Sequence, residues 1–151
     1  MTSRKKRVAV VLDTNVFVRA FKAGTKTNWC CRIVRLWLIE RKLQLVVSPE
    51  LIEEYVAIFG EILGMTAETV DAWRTRFESD ARSTVVNLGR RRSVSRDPDD
   101  DVLLATAASG DASFLITNDR DLLEVSDEFQ RAQRYEIVRP QQFLKWWDAV
   151  E

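Results

Sequence analysis

The chain has 151 residues, 46% of them hydrophobic and 30% charged, the size and balance of one globular domain that can bury a core without disulfides or a structural metal. It contains no histidine, which removes Ser-His-Asp, Cys-His and histidine–metal chemistry and leaves carboxylates, lysine, arginine and hydroxyls to do any catalysis. The 23 acidic and 23 basic residues cancel, so nucleic acid would have to be held by local basic clusters such as Arg4 to Arg7, or Arg90, Arg91 and Arg92 with Arg96.

The basic start at residues 1–7 is expected to be flexible, and the apolar stretch behind it stops at Asp13, too early for a signal peptide. No run reaches the roughly 18 apolar residues that a membrane helix needs. One domain over 1–151, cytoplasmic and away from membranes, is the expectation. Val8–Leu12 is a β-branched apolar run without polar alternation, the pattern of a strand buried on both faces. Val16, Phe17, Val18 and Phe21 predict a short helix, and 24–28 a loop. Trp29, Ile33, Leu36, Trp37 and the stretch from Ile39 to Leu43 predict a helix over 29–41, on which the adjacent Cys30 and Cys31 are packing residues and neither a disulfide nor half a zinc site. Leu43–Val47 is a second buried strand.

Ser48-Pro49-Glu50 joins a capping hydroxyl, a proline at the first helical position and an acid in the first turn. It starts a helix over 49–63 with Leu51, Ile52, Tyr55, Val56, Phe59 and Ile62 on one face, stopped by Gly64. A further helix runs from Thr66 to about Ser79, then a short strand over 84–88 and a polar, basic loop over 89–96. Asp97-Pro98 repeats the cap-plus-proline start for a helix over 99–109 that is apolar or small nearly all round and closes at Gly110. Residues 113–116 form a third buried strand and 135–138 a short edge strand, and Arg139-Pro140 opens a last helix ending near Trp147. Trp29, Trp37 and Trp73 read as core or partner-contact residues. This alternation argues an α/β fold, a parallel sheet of roughly four or five strands covered by helices on both faces.

In open parallel sheets ligands bind beyond the carboxyl ends of the strands, and the acids of this chain gather there. Asp13 follows the first strand, Glu50, Glu53 and Glu54 follow the second, Asp119 and Asp121 follow the third, and Asp97, Asp99, Asp100 and Asp101 open the most buried helix. Singly, each has a plainer reading: helix cap for Asp13 and Asp97, dipole complement for Asp99, solvated surface for Glu53, turn former for Asp119 and Asp121. Together they do not. Two carboxylates about 5 Å apart repel by on the order of 3 kcal/mol at an effective dielectric near 20, and four in one cleft would cost about as much as a domain's whole stability. Raised pKa values relieve part of this. A divalent cation relieves more, and an oxygen-rich, nitrogen-free site suits Mg²⁺ or Mn²⁺, the ions that promote attack of water on phosphodiesters.

Four stretches, in order, carry a resemblance: Val10-Val11-Leu12-Asp13-Thr14-Asn15; Ser48 with Glu54; Asp97-Pro98-Asp99-Asp100-Asp101 leading into Leu104-Ala105-Thr106-Ala107; and Phe114-Leu115-Ile116-Thr117-Asn118-Asp119. The set resembles the PIN-domain family, in particular the toxin components of bacterial and archaeal toxin–antitoxin pairs (VapC-like), over about residues 8–146. The resemblance implies a single-domain, three-layer PIN-like fold and a Mg²⁺-dependent (alternatively Mn²⁺-dependent) ribonuclease, an endonuclease that leaves a 5′-phosphate and a 3′-hydroxyl. It implies that Asp13, Glu54, Asp100 and Asp119 are the catalytic, metal-binding acids, with Asp121 an extra ligand, direct or through water. Asn15 and Thr117 are implied to be the polar neighbours that hold them. The spacing to Ala105-Thr106-Ala107 selects Asp100, with Asp99 and Asp101 as alternatives. Arg90, Arg91, Arg92, Arg96 and Arg120 are candidates for gripping RNA phosphates, although 90–96 reads equally as a solvated loop. The implied partners are RNA and a cognate antitoxin that covers the helices over 29–43 and 49–63 and blocks the cleft; a homodimer contact could use the same helices.

Three other readings compete. A housekeeping PIN nuclease trimming ribosomal or transfer RNA would share the chemistry, and a neighbouring gene for a small DNA-binding or disordered protein would separate it from a toxin. A phosphoacceptor receiver domain would want an acidic pair after the first strand and a lysine after the last, where this chain has Asp13-Thr14-Asn15 and Arg139-Pro140. A catalytically inactive PIN scaffold binding RNA or protein would have lost one of the four acids.

Overall fold

A computed structural model describes residues 7–89 and 98–151. In chain order these form β1 (Val8–Leu12), α1 (Thr14–Lys22), α2 (Trp29–Leu38), β2 (Leu43–Val47), α3 (Pro49–Glu61), α4 (Ala67–Ser79), β3 (Ser83–Val85), α5 (Pro98–Ser109), β4 (Phe114–Ile116), α6 (Arg120–Leu123), α7 (Asp127–Ala132), β5 (Glu136–Val138) and α8 (Pro140–Val150). Residues 1–6 of the start expected to be flexible, the basic run of Arg90, Arg91, Arg92 and Arg96, and the expected Asp97 cap lie outside the described residues.

The strands form one parallel sheet in the order β3-β2-β1-β4-β5. β1 is central, and its residues Val10, Val11 and Leu12 are fully buried, as the unbroken apolar run predicts. The chain moves from β1 outward to β2 and β3, then crosses back to β4 and β5. Right-handed crossovers in those two directions put their helices on opposite faces of the sheet. On one face, Phe17 and Phe21 of α1, Trp37 of α2, Tyr55 and Phe59 of α3, and Trp73 and Phe77 of α4 build a contiguous aromatic cluster with ring centroids 4.9 to 6.5 Å apart. α5 packs across β2, β1 and β4. α8 lies against β4 and α2, where Phe114 meets Phe143 edge-on at 5.3 Å.

Ser48 and Thr66 cap α3 and α4 through the Leu51 and Thr69 amides. α2 ends at Leu38, before the expected residue 41, because Arg41 takes a left-handed φ of 56° and the Lys42 amide turns back onto the Leu36 carbonyl at 2.8 Å. β3 starts one residue early and ends at Val85, and α8 continues past Trp147 to Val150. The short helices α6 and α7 lie between the third buried strand and the edge strand, where the sequence predicts no element. Cys30 and Cys31 are free and sit on α2, the first buried. Trp37 is in the core and Trp73 packs against it, whereas Trp29 is 54% exposed. Among the described residues, no helix is long and apolar enough to cross a membrane.

Candidate metal centre

The switch in strand order lies at β1, with β2 on one side and β4 on the other, so the crevice for a ligand opens beyond their carboxyl ends. Asp13 is the first residue past β1, and its amide extends the ladder by bonding the Ile116 carbonyl at 3.0 Å. Asp13 precedes α1, but its carboxylate makes no capping hydrogen bond there. It accepts instead from Thr117 Oγ1 at 2.6 Å. Burial pushes this carboxyl above its ordinary range; the Thr117 hydroxyl opposes the shift, the Asp119 charge adds to it, and the Asn15 and Thr14 amides oppose it.

Thr117, fully buried just past β4, works in two directions. Besides donating to Asp13, its oxygen accepts the Asp119 amide at 2.9 Å. Asp119 in turn caps α6, its Oδ1 accepting the Asp121 amide at 2.9 Å. The tight turn therefore points two aspartates toward the crevice. Asp100 arrives from the first turn of α5 and is 4% exposed. Glu54 stands six residues past the Ser48 cap on α3 and accepts from Thr14 Oγ1 at 2.6 Å.

Asp13, Glu54, Asp100 and Asp119 line one cleft of about 330 Å³ together with Thr14 and Asn15, and Val18, Ile58, Ile62 and Leu103 supply its apolar walls. Carboxylate oxygens of two of these, Asp100 and Asp119, and of Asp121 lie within 4.8 Å of one another. Three hard oxygen ligands at that spacing fit a small divalent cation, with Asp13 and Glu54 on the same cleft. Glu53, on the outer side of α3, pairs with Arg74 and is exposed, as its surface reading expects.

Some supporting contacts were not foreseen. The hydroxyl that holds Glu54 belongs to Thr14, while Asn15 is exposed at the cleft rim. Tyr55, fully buried, donates its hydroxyl to the Leu12 carbonyl and so ties α3 to the end of β1 immediately before Asp13. Burial, then the charges of Asp13 and Glu54, hold its phenol well above the usual range. Ser48 Oγ and Thr106 Oγ1, both fully buried, meet at 2.8 Å and join the start of α3 to α5. A polar residue inside an otherwise apolar helical stripe, as at Thr106, was the signal available. Arg120 is 81% exposed at the start of α6 and pairs with Glu124 at 3.4 Å.

An all-parallel α/β sheet with a carboxylate-lined crevice at its strand switch defines the class of this protein. The chain belongs to the PIN domain family: the family's sequence profile matches residues 9–121, from β1 through the acidic turn after β4. Comparison with curated proteins finds no sequence match. Among solved structures it is similar to a chain of VapBC2 from Rickettsia felis, a complex bound to a DNA fragment from its promoter, with a TM-score of 0.53 at 14% identity over 87% of this chain and 98% of that one. It is also similar to PAE2754 from Pyrobaculum aerophilum, with a TM-score of 0.50 at 16% identity over 95% of this chain and 90% of that one. At such identities these two likenesses concern the fold.

Proposed function

We propose that this protein is a ribonuclease that hydrolyses RNA phosphodiester bonds at the carboxylate cleft with a divalent cation, and that it serves as the toxin of a toxin–antitoxin pair. The observation that supports it most is the convergence of acids from four separate elements: Asp13 after β1, Glu54 on α3, Asp100 on α5 and Asp119 on the turn after β4, all on one cleft. Asp100, Asp119 and Asp121 are the residues to hold the ion, with Asp13 and Glu54 completing the set. When bound, Mg²⁺ or Mn²⁺ supplies Lewis acidity and neutralises charge on the phosphodiester. The chain's own groups hold the carboxylates in place: Thr117 donates to Asp13 and opposes the burial that drives it toward its neutral form, and Thr14 donates to Glu54. Val18, Ile58, Ile62 and Leu103 supply apolar surface beside these carboxylates.

The toxin reading draws on the structural likeness to a chain of VapBC2. An antitoxin covering α2 and α3 would seal the cleft, since Ile58 and Ile62 line it and Ile62 is 51% exposed. A homodimer contact is the other use proposed for these helices. RNA cleavage by the full chain in Mg²⁺ or Mn²⁺, compared with Asp13→Asn and Asp100→Asn, tests the nuclease. Activity in the wild type alone, abolished by chelator, is expected; equal activity in all three proteins, or activity that persists in chelator, ends the reading. Growth arrest on expression, lost in the same variants, tests the toxin.

A further inference from the structure

A polyanionic substrate has to be gripped beside an acidic cleft, and among the described residues a second cleft sits where such a grip is needed. It measures about 360 Å³, and its lining includes Arg19, Lys22, Asn28, Trp29 and Asn118. It adjoins the acidic cleft at two places. Asn118 lines the one and its chain neighbour Asp119 the other. α1 serves both, with Asn15 and Val18 on the acidic side and Arg19 and Lys22 on the basic side; Asn15 to Arg19, and Val18 to Lys22, is about 6 Å of helix rise.

The basic cleft is built from fixed parts. Asn28 accepts the Cys31 amide at 2.8 Å through Oδ1 and donates through Nδ2 to the Arg19 carbonyl at 3.2 Å, which clamps the last turn of α1 to the first turn of α2. Arg19 and Lys22 are exposed, and neither is ion-paired among the described residues. Trp29 is 54% exposed although it opens a helix whose other apolar residues are largely buried. Two free cations and an exposed indole held on a rigid wall are the elements of a single-stranded nucleic-acid subsite: phosphate on the cations, base on the aromatic face.

We propose that this cleft binds the nucleotide of single-stranded RNA that flanks the scissile phosphodiester, with Arg19 and Lys22 taking its phosphate and Trp29 stacking on its base. The assignment rests on the nuclease reading, and its test keeps the two apart. Binding of a fluorescently labelled single-stranded oligoribonucleotide to the full chain is followed by anisotropy in chelator across a salt series, for wild type, Trp29→Ala, Trp29→Phe and Arg19→Ala/Lys22→Ala. Trp29→Ala should weaken binding about tenfold at every salt concentration with its salt slope unchanged, and Trp29→Phe should recover most of that loss. The double variant should reduce the slope of log affinity against log salt by about 0.7, one phosphate's worth for a single strand. In Mg²⁺ or Mn²⁺, Trp29→Ala should raise KM for the oligoribonucleotide more than for bis(p-nitrophenyl) phosphate, which has no flanking base. Wild-type affinity and slope in all variants would overturn the subsite. Wild type that binds RNA in the expected Trp29-dependent way yet cleaves neither substrate would overturn the nuclease reading and leave the subsite standing.

Discussion

Asp119 carries a charge into the acidic cleft while its Oδ1 accepts the Asp121 amide, so Asp119→Asn removes the charge and keeps an acceptor that caps equally well. Its carboxylate lies within 4.8 Å of those of Asp100 and Asp121. At that distance each like-charged pair costs about 1 kcal/mol at the dielectric of water and about 3 kcal/mol at an effective dielectric of 20. Asp119 and Asp121 are only partly buried, so screening favours the lower figure, and relief of two pairs gives about 2 kcal/mol. The variant should therefore melt about 4–8 °C above wild type in chelator at neutral pH. Asp13 adds to the effect, because the Asp119 charge is one cause of its raised carboxyl. A carboxyl raised in the folded state favours the protonated form, so its contribution to stability is fully present below the ordinary carboxylate range and is lost as pH rises through the raised value. The gap between variant and wild type should accordingly close as pH falls toward 4. With Mn²⁺ at about a hundred times its dissociation constant the order should reverse: wild type gains about 2.7 kcal/mol, roughly 5–10 °C, and the variant little. Differential scanning fluorimetry over pH and metal concentration reads all of this. A variant less stable than wild type in chelator at pH 7, or equal metal-induced gains in both proteins, would refute the reasoning.

Three further outcomes follow from single contacts. Thr117→Val removes the hydroxyl that lowers the Asp13 carboxyl, so that carboxyl rises further and the acidic limb of the pH–activity profile should move to higher pH; an unmoved limb would show that Asp13 does not need to be ionised. Tyr55→Phe deletes the buried hydroxyl donated to Leu12 and leaves a carbonyl unsatisfied, which should cost roughly 1–3 kcal/mol in urea unfolding. Gly110→Ala places a Cβ 2.1 Å from Val46 Cγ1 on the buried strand β2; such overpacking should destabilise by about 1–3 kcal/mol, visible as a lower unfolding midpoint.

Much of this architecture is legible in the residues. Val8–Leu12 and Leu43–Val47 are unbroken apolar runs ended by Asp13 and Ser48, and both strands form over those residues. The short helices α6 and α7 were not legible by periodicity, because four and six residues are too few to show an apolar stripe. Their caps were visible: Asp119 two before Asp121, and Ser126 followed by Asp127 and Glu128, whose side-chain oxygens hold the Asp121 and Phe129 amides. Among Asp99, Asp100 and Asp101, the spacing to Ala105-Thr106-Ala107 selects Asp100 on a helix apolar nearly all round. Helical phase favours one of them: Asp100, Leu103, Leu104 and Ala107 fall at i, i+3, i+4 and i+7 and are all buried. The roles of Thr14, Tyr55 and Thr106 depend on which elements pack together, and no local pattern carries that. The exposure of Trp29 likewise follows from where α2 meets α1 and α8, since sequence spacing alone assigns it to an apolar face.

The central claim is that acids from separate elements converge to hold a divalent ion. Anomalous diffraction from crystals soaked in Mn²⁺ tests it most directly. A peak within about 2.0–2.4 Å of oxygens from Asp100 and Asp119, lost in crystals of Asp119→Asn, is the expected result. A well-ordered cleft with no peak in it, or Mn²⁺ bound only elsewhere on the molecule, would contradict it.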